Sequence, residues 1–120
     1  MDPIISSPNE ANEYFFSEGC FILEIWNSSN DEAVSIARAR VEPGVTTLFH
    51  KLNKTIERYI ITDGQGSVDI GKLTSQVVNP GDIVFIPENC QQRITNTSNT
   101  DLIFLAICTP RFQAVNYQEL

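Results

Sequence analysis

Two stretches decide how this chain folds: Gly44-Val45-Thr46-Thr47-Leu48-Phe49-His50-Lys51-Leu52-Asn53-Lys54-Thr55-Ile56-Glu57-Arg58-Tyr59-Ile60-Ile61-Thr62-Asp63-Gly64, and Gly81-Asp82-Ile83-Val84-Phe85-Ile86-Pro87-Glu88-Asn89-Cys90-Gln91-Gln92-Arg93-Ile94-Thr95-Asn96. Each opens on a Pro-Gly corner, Pro43-Gly44 or Pro80-Gly81, that turns the chain into a strand. The first closes on Asp63-Gly64, a tight-turn pair whose glycine permits positive φ. Between these corners, Thr46 to Leu52, Glu57 to Thr62, Ile83 to Ile86 and Gln92 to Thr95 read as short strands.

The same rhythm continues outward. Phe21 to Trp26 reads as a strand ended by the polar run Asn27 to Asp31. In the next, Ala33 to Val41, Arg38 and Arg40 share one face while Ala37 and Ala39 share the other. Ser67 to Ile70, Thr74 to Val78 and Leu102 to Cys108 complete the series. Near the start, Ser7-Pro8-Asn9-Glu10 has the form of a capping box and predicts a brief helix, with an ordered arm as the alternative. Short strands so regularly spaced predict an all-β sandwich or barrel. Residues 1–18 are expected to form an N-terminal arm, 19–112 the barrel and 113–120 a C-terminal tail. The run Leu102 to Ile107 is apolar on both faces, so it needs a cover on each. The barrel core supplies one, and the arm or a partner subunit the other. Because a small barrel has little chain to spare, a homodimer is expected.

The composition suits one folded domain: 120 residues, 42% hydrophobic and 19% charged. No apolar run approaches the ~20 residues of a membrane helix, and the first residues lack the basic and apolar regions of a signal peptide, so the cytoplasm is the expected compartment. A formal charge of −7 repels phosphate backbones and anionic lipid, so neither nucleic acid nor membrane is an expected partner. Cys20, Cys90 and Cys108 are odd in number and lack CxxC spacing, which points to buried thiols rather than disulfides or a zinc knuckle. Asn-x-Ser/Thr triplets begin at Asn27, Asn53 and Asn96, but they carry no meaning without secretion.

The spacing within the two stretches resembles the paired motifs of the cupin superfamily. Gly44, His50, Glu57 and Gly64 stand where the first motif has Gly, its leading His, Glu and closing Gly. Gly81, Pro87, Gln92 and Asn96 follow the second, with Gln92 in place of a His and Asn89 in place of a Gly. The phrases Glu57-Arg58-Tyr59, Gln92-Arg93-Ile94-Thr95-Asn96 and Ile107-Cys108-Thr109-Pro110-Arg111-Phe112 are similar to those of a subgroup of small single-domain cupins. The resemblance implies a double-stranded β-helix, or jelly-roll, barrel. It also implies a divalent metal inside, held by two His of the first motif, the Glu and the His of the second.

Carried over residue by residue, the ligand set is reduced to His50, Glu57 and Gln92, since Leu52 stands where the second His would be. His50 is the only histidine. One imidazole, one carboxylate and one amide oxygen suit Mn, Fe, Ni or Zn. The alternative is a metal-free polar pocket with His50 and Glu57 as a buried pair. Tyr59 shares the face of Glu57, and these two are the candidate catalytic groups. Leu52 is a candidate pocket residue, as are Arg38 and Arg40 if their face is inward. The competing reading turns both arginines to solvent, with Ala37 and Ala39 packed inside. Three readings therefore stand: a metal-dependent enzyme acting on a small molecule, a non-catalytic cupin that holds a small ligand without metal, and a purely structural interaction protein.

Overall fold

The computed structural model describes residues 1–120 as two packed antiparallel sheets. The strands in chain order are β1 (Tyr14–Phe16), β2 (Cys20–Trp26), β3 (Ser35–Val41), β4 (His50–Leu52), β5 (Ile56–Asp63), β6 (Gly66–Ile70), β7 (Leu73–Val78), β8 (Ile83–Ile86), β9 (Gln92–Asn96), β10 (Leu102–Thr109) and β11 (Tyr117–Glu119). A six-stranded sheet has the order β1-β2-β3-β10-β5-β8, and a five-stranded sheet β11-β4-β9-β6-β7. This is the expected all-β jelly roll. The only helical pieces are single 3-10 turns, Glu10–Asn12 and Ala114–Asn116. No helix is long and apolar enough to cross a membrane.

Three differences from the sequence reading bear on the site. The helical turn near the start is capped by Asn9, whose Oδ1 accepts from the Ala11 amide at 3.0 Å, and not by Ser7. The arm does not stop short of the barrel: Tyr14 to Phe16 pair with Cys20 to Ile22 as the edge of the larger sheet. The expected tail, 113–120, contains β11, which pairs with β4 so that Tyr117 lies opposite Leu52 and Glu119 opposite His50. Tyr14–Phe16 and Tyr117–Glu119, one near each end of the chain, are thus structural parts of the barrel.

The core lies between the sheets, where alternate residues of each strand point inward. On β5, Glu57, Tyr59 and Ile61 are buried while Arg58 and Ile60 are half-buried on the other side. On β9, Gln92, Ile94 and Asn96 are buried. Ile61, Ile86, Ile94, Leu102 and Phe104 are among the cluster that fills the closed end. Gly64 has φ +80°, and a Cβ there would come within 2.7 Å of the Asp101 carbonyl oxygen, so the Asp63-Gly64 turn requires glycine on two counts. Asn89, at the motif position of a Gly, takes φ +62°, which asparagine tolerates better than most residues.

Arg38 and Arg40 do not enter the barrel. They stand on the outer face of β3, opposite Leu105 and Ile103 of β10, and bind the N-terminal segment. Arg38 reaches Glu10 at 2.6 Å and Glu13 at 3.1 Å, and Arg40 reaches Glu13 at 2.6 Å and Asp101 at 3.3 Å. The physical reason is the cost of an unpaired guanidinium in a core, which four carboxylate contacts outside remove. Ala37 and Ala39 take the inward positions, and their small side chains leave room behind them.

Asn96 ends the second motif as a staple, 1% exposed. Its amide donates to the carbonyls of Val41 at 2.8 Å and Thr100 at 2.7 Å, and its oxygen accepts from the Ser98 amide and hydroxyl, both at 2.8 Å. Asn96→Ala strands these buried partners and should cost about 2–4 kcal/mol. Urea unfolding should show a lower midpoint at unchanged slope. A loss below about 0.5 kcal/mol would mean that water takes over the side chain's role.

Candidate functional site

Behind Ala37 and Ala39 the barrel encloses a cavity of about 70 Å³, with room for roughly five water molecules. His50 and Leu52 of β4, Glu57 and Tyr59 of β5, and Cys108 of β10 line it, together with Glu18 from the β1–β2 turn and Tyr117 from β11. Strand alternation brings His50, Leu52, Glu57 and Tyr59 to one interior. Glu18 is fixed there because its carbonyl accepts from the Leu48 amide at 2.8 Å, which docks the β1–β2 turn on the segment leading into β4.

Two polar assemblies share this space. In the first, the Tyr59 hydroxyl donates to Gln92 Oε1, Gln92 Nε2 donates to Glu57 Oε1 at 2.9 Å, and Cys108 Sγ lies 3.7 Å from Glu57 Oε2. In the second, His50 Nδ1 lies 2.8 Å from the Leu48 carbonyl, so Nδ1 carries a proton. His50 Nε2 then faces Glu18 Oε2 at 3.0 Å. Cys20 Sγ donates to the other Glu18 oxygen at 3.1 Å, and Tyr117 stacks on the imidazole with ring centres 5.3 Å apart.

Burial sets the electrostatics. It raises the Glu57 carboxyl from 4.5 to about 7, reinforced by the nearby Glu18 and opposed by the Gln92 hydrogen bond and His50. Burial therefore favours the protonated form of Glu57 well above the usual carboxylate range. Since Oε1 accepts from the amide, that proton belongs on Oε2. Burial pushes the Tyr59 and Tyr117 phenols upward, so both remain proton donors. It does the same to the thiols of Cys20 and Cys108, which stay protonated and unreactive. Glu18 Oε2 and Tyr117 Oη are buried with no aligned hydrogen-bond partner. Glu18 Oε2 makes only the close His50 contact.

As a ligand set for the metal that the sequence resemblance implies, His50, Glu57 and Gln92 do not fit in this arrangement. His50 Nδ1 is held by a carbonyl and Nε2 by Glu18. Both ends of the Gln92 amide are taken by Tyr59 and Glu57, and Leu52 offers no donor. No group of three His, Cys, Asp or Glu residues is placed to hold one ion. Glu57 and Gln92 are joined in one hydrogen-bonded network with Tyr59, whereas His50 pairs with Glu18 instead of Glu57, so the His50–Glu57 pair weighed from the sequence does not form. Arg38 and Arg40, the other pocket candidates, are outside. Arg93 is also turned away, paired with Asp69 at 2.8 Å, and Arg111 pairs with Glu32 at 3.2 Å.

Sequence reasoning missed Glu18, Glu24 and Tyr117, all of which line the cavity, as does the buried thiol of Cys108. A signal for Glu18 existed: Tyr14, Phe16 and Glu18 have the parity of one strand face, and Gly19 follows as a turn residue. Tyr117 left no comparable mark, because three residues of strand at a chain end carry no readable period.

The geometry agrees with what the chain is similar to. The family model of the cupin domain matches residues 37–108. An uncharacterised protein of Methanocaldococcus jannaschii is 30% identical over 114 residues, covering 93% of this chain and 90% of its own length. An oxalate-binding protein of Thermotoga maritima is 35% identical over 79 residues, covering 65% of this chain and 64% of its own. Among solved structures, the nucleoside dehydratase Pac13 superposes with a TM-score of 0.79 at 14% identity, over 98% of this chain and 92% of that one. KdgF from a Halomonas species gives 0.73 at 12% identity, over 84% and 89%. With its paired corners, its jelly-roll sheets and this match, the chain belongs to the cupin family.

Proposed function

We propose that the barrel binds a small polar molecule in the cavity and that Glu57 and the His50–Glu18 pair move protons on it without a metal. The observation that carries this is one cavity that gathers a buried carboxyl raised by burial, the His50–Glu18 pair and the Tyr117 hydroxyl, which is buried without an aligned partner. Such a hydroxyl costs free energy until something pairs with it. A general acid or base works best when its pKa lies near the working pH, which is where burial leaves Glu57. Tyr59 and Gln92 orient Glu57, and Leu52 forms part of the apolar wall. A nucleoside dehydratase and an oxalate-binding protein among the similar proteins support a small-molecule role. The latter also favours a second reading, a holder that binds without turnover. Three free cysteines suit the reducing cytoplasm proposed as the compartment.

Elemental analysis of protein purified without a polyhistidine tag tests the metal-free part. Well under one equivalent of Mn, Fe, Ni or Zn is expected, before and after incubation with each ion. Near-stoichiometric metal that vanishes in His50→Ala would overturn it and restore the reduced ligand set.

Glu57 also makes a pH prediction. Its folded-state pKa is raised, so the stabilisation tied to its proton is complete below about 4.5 and is lost as pH rises to about 7. Unfolding free energy should fall across that window by on the order of 3 kcal/mol and then level off. Glu57→Gln, which keeps the shape and removes the titration, should flatten the profile. An equally steep profile in the variant would assign the effect to other groups.

The homodimer expected from the two-sided β10 is likewise proposed, on the outer face of the larger sheet. There Ile83 and Phe85 are 60% and 56% exposed beside half-buried Ile60. Sedimentation should give a dimer for the native chain and a monomer for Phe85→Asp. A native monomer at micromolar concentration would exclude it.

A further inference from the structure

We propose that the ligand of this cavity is a small organic cation, an ammonium or methylated ammonium head group held between carboxylates and aromatic faces. The inference rests on the reading of the cavity as a binding site and names the chemical class that site selects.

The lining carries three carboxylates, Glu18, Glu24 and Glu57, and neither a lysine nor an arginine. The arginines are engaged elsewhere. Arg38 and Arg40 hold the N-terminal segment, Arg93 and Arg111 pair with Asp69 and Glu32, and Arg58 donates to the Thr109 hydroxyl at 2.7 Å and lies over the Phe85 ring. Lys51 is on the outer side of β4, between inward His50 and Leu52. His50 is therefore the one group that can put positive charge into the cavity. With three carboxyls against one imidazole the lining is acidic, and it sets up a negative field as Glu24 and Glu57, both raised by burial, ionise. A dianion such as oxalate would enter against that field, whereas an ammonium would be drawn by it.

The walls point the same way. Tyr14, Phe16, Tyr59, Phe104, Phe112 and Tyr117 line the cavity, and ring faces attract cations most strongly where water is excluded. A neutral polyol would need several paired donors and acceptors and would find mostly apolar surface. The carboxylates also form a graded approach, with Glu24 exposed, Glu18 half-buried and Glu57 buried. A cation can exchange its hydration for protein contacts in steps along such a path. The modest volume limits the enclosed part to a compact head group, with any longer substituent extending through the mouth.

The test is calorimetric titration of the full chain at pH 7.5 and low salt with choline and ethylammonium, their uncharged counterparts dimethylbutanol and ethanol, and oxalate. At least one cation should bind about tenfold or more tighter than its uncharged counterpart, and oxalate should give no binding. Glu24→Gln and Glu18→Gln should each weaken the cation several-fold and leave the alcohols unchanged. Glu24 is exposed, so its variant keeps the test valid if Glu18→Gln fails to fold. Equal or tighter binding of an alcohol or of oxalate would overturn the cation assignment while leaving the cavity a binding site. Binding of no probe would also overturn it. The carboxyl carbon shift of Glu57, followed against pH in the same protein, then decides separately whether the proton-transfer reading survives.

Discussion

The alternation along β3 is the constraint on which the rest of the barrel depends. Arg38 and Arg40 face out and Ala37 and Ala39 face in, so one strand both opens the cavity and secures what closes it. Isolated surface ion pairs contribute little. Here, however, Glu13 is only 16% exposed and receives both arginines, while Arg40 also lies 4.3 Å over the ring of Phe21. The segment so held leads into β1 and then to the turn that carries Glu18. A latch on the outside thereby fixes a carboxylate on the inside, beside an imidazole that has no other acidic partner.

The replacement of a histidine by glutamine in the second motif has its own consequence. An amide has a donor and an acceptor on one rigid plane, so it can receive from Tyr59 and give to Glu57 at once. That fixes the direction of the network: a protonated phenol at one end and a carboxyl oxygen that only accepts at the other. Leu52 acts alongside it by withdrawing a donor and adding apolar surface, which deepens the desolvation that raises Glu57. The two departures from the cupin ligand pattern are therefore consistent with each other. Both remove a nitrogen donor from the pattern and leave the interior with an amide and an alkyl group in their place.

Much of the fold was legible in the sequence, because corner glycines and period-two alternation are local signals. Ile83–Ile86 falls as expected, and most other strands differ by a residue or two at their ends, where assignments are least sharp. The third expected strand, Thr46 to Leu52, shrinks to His50–Leu52 with an isolated bridge at Thr46, since the chain there turns toward Glu18 and β9. The site was half legible. His50, Leu52, Glu57 and Tyr59 follow from motif spacing and parity. Of the carboxylate and ring that complete it, Glu18 had a local trace in the parity of Tyr14, Phe16 and Glu18 before the Gly19 turn, whereas Tyr117 is placed by the pairing of β11 with β4, which no local pattern encodes. The facing of Arg38 and Arg40 was open for the same reason: alternation fixes which residues share a face, but only their partners decide which face is inside.

Those partners also explain how an acidic chain can keep an acidic interior. Most of its arginines are tied to carboxylates on the outside, where solvent lowers the cost of both charges. The cavity lining is left with buried Glu57, half-buried Glu18 and exposed Glu24 against a single imidazole. Protonating Glu57 limits that excess from within, and burial, which raises the carboxyl, favours it. A bound cation would relieve the same excess from outside and so would favour the ionised form of Glu57. Ligand and proton are then competitors for one negative charge, and by linkage each must weaken the binding of the other. Occupancy would thus convert the buried acid into a base, coupling the arrival of a cation to the readiness of the site to accept a proton.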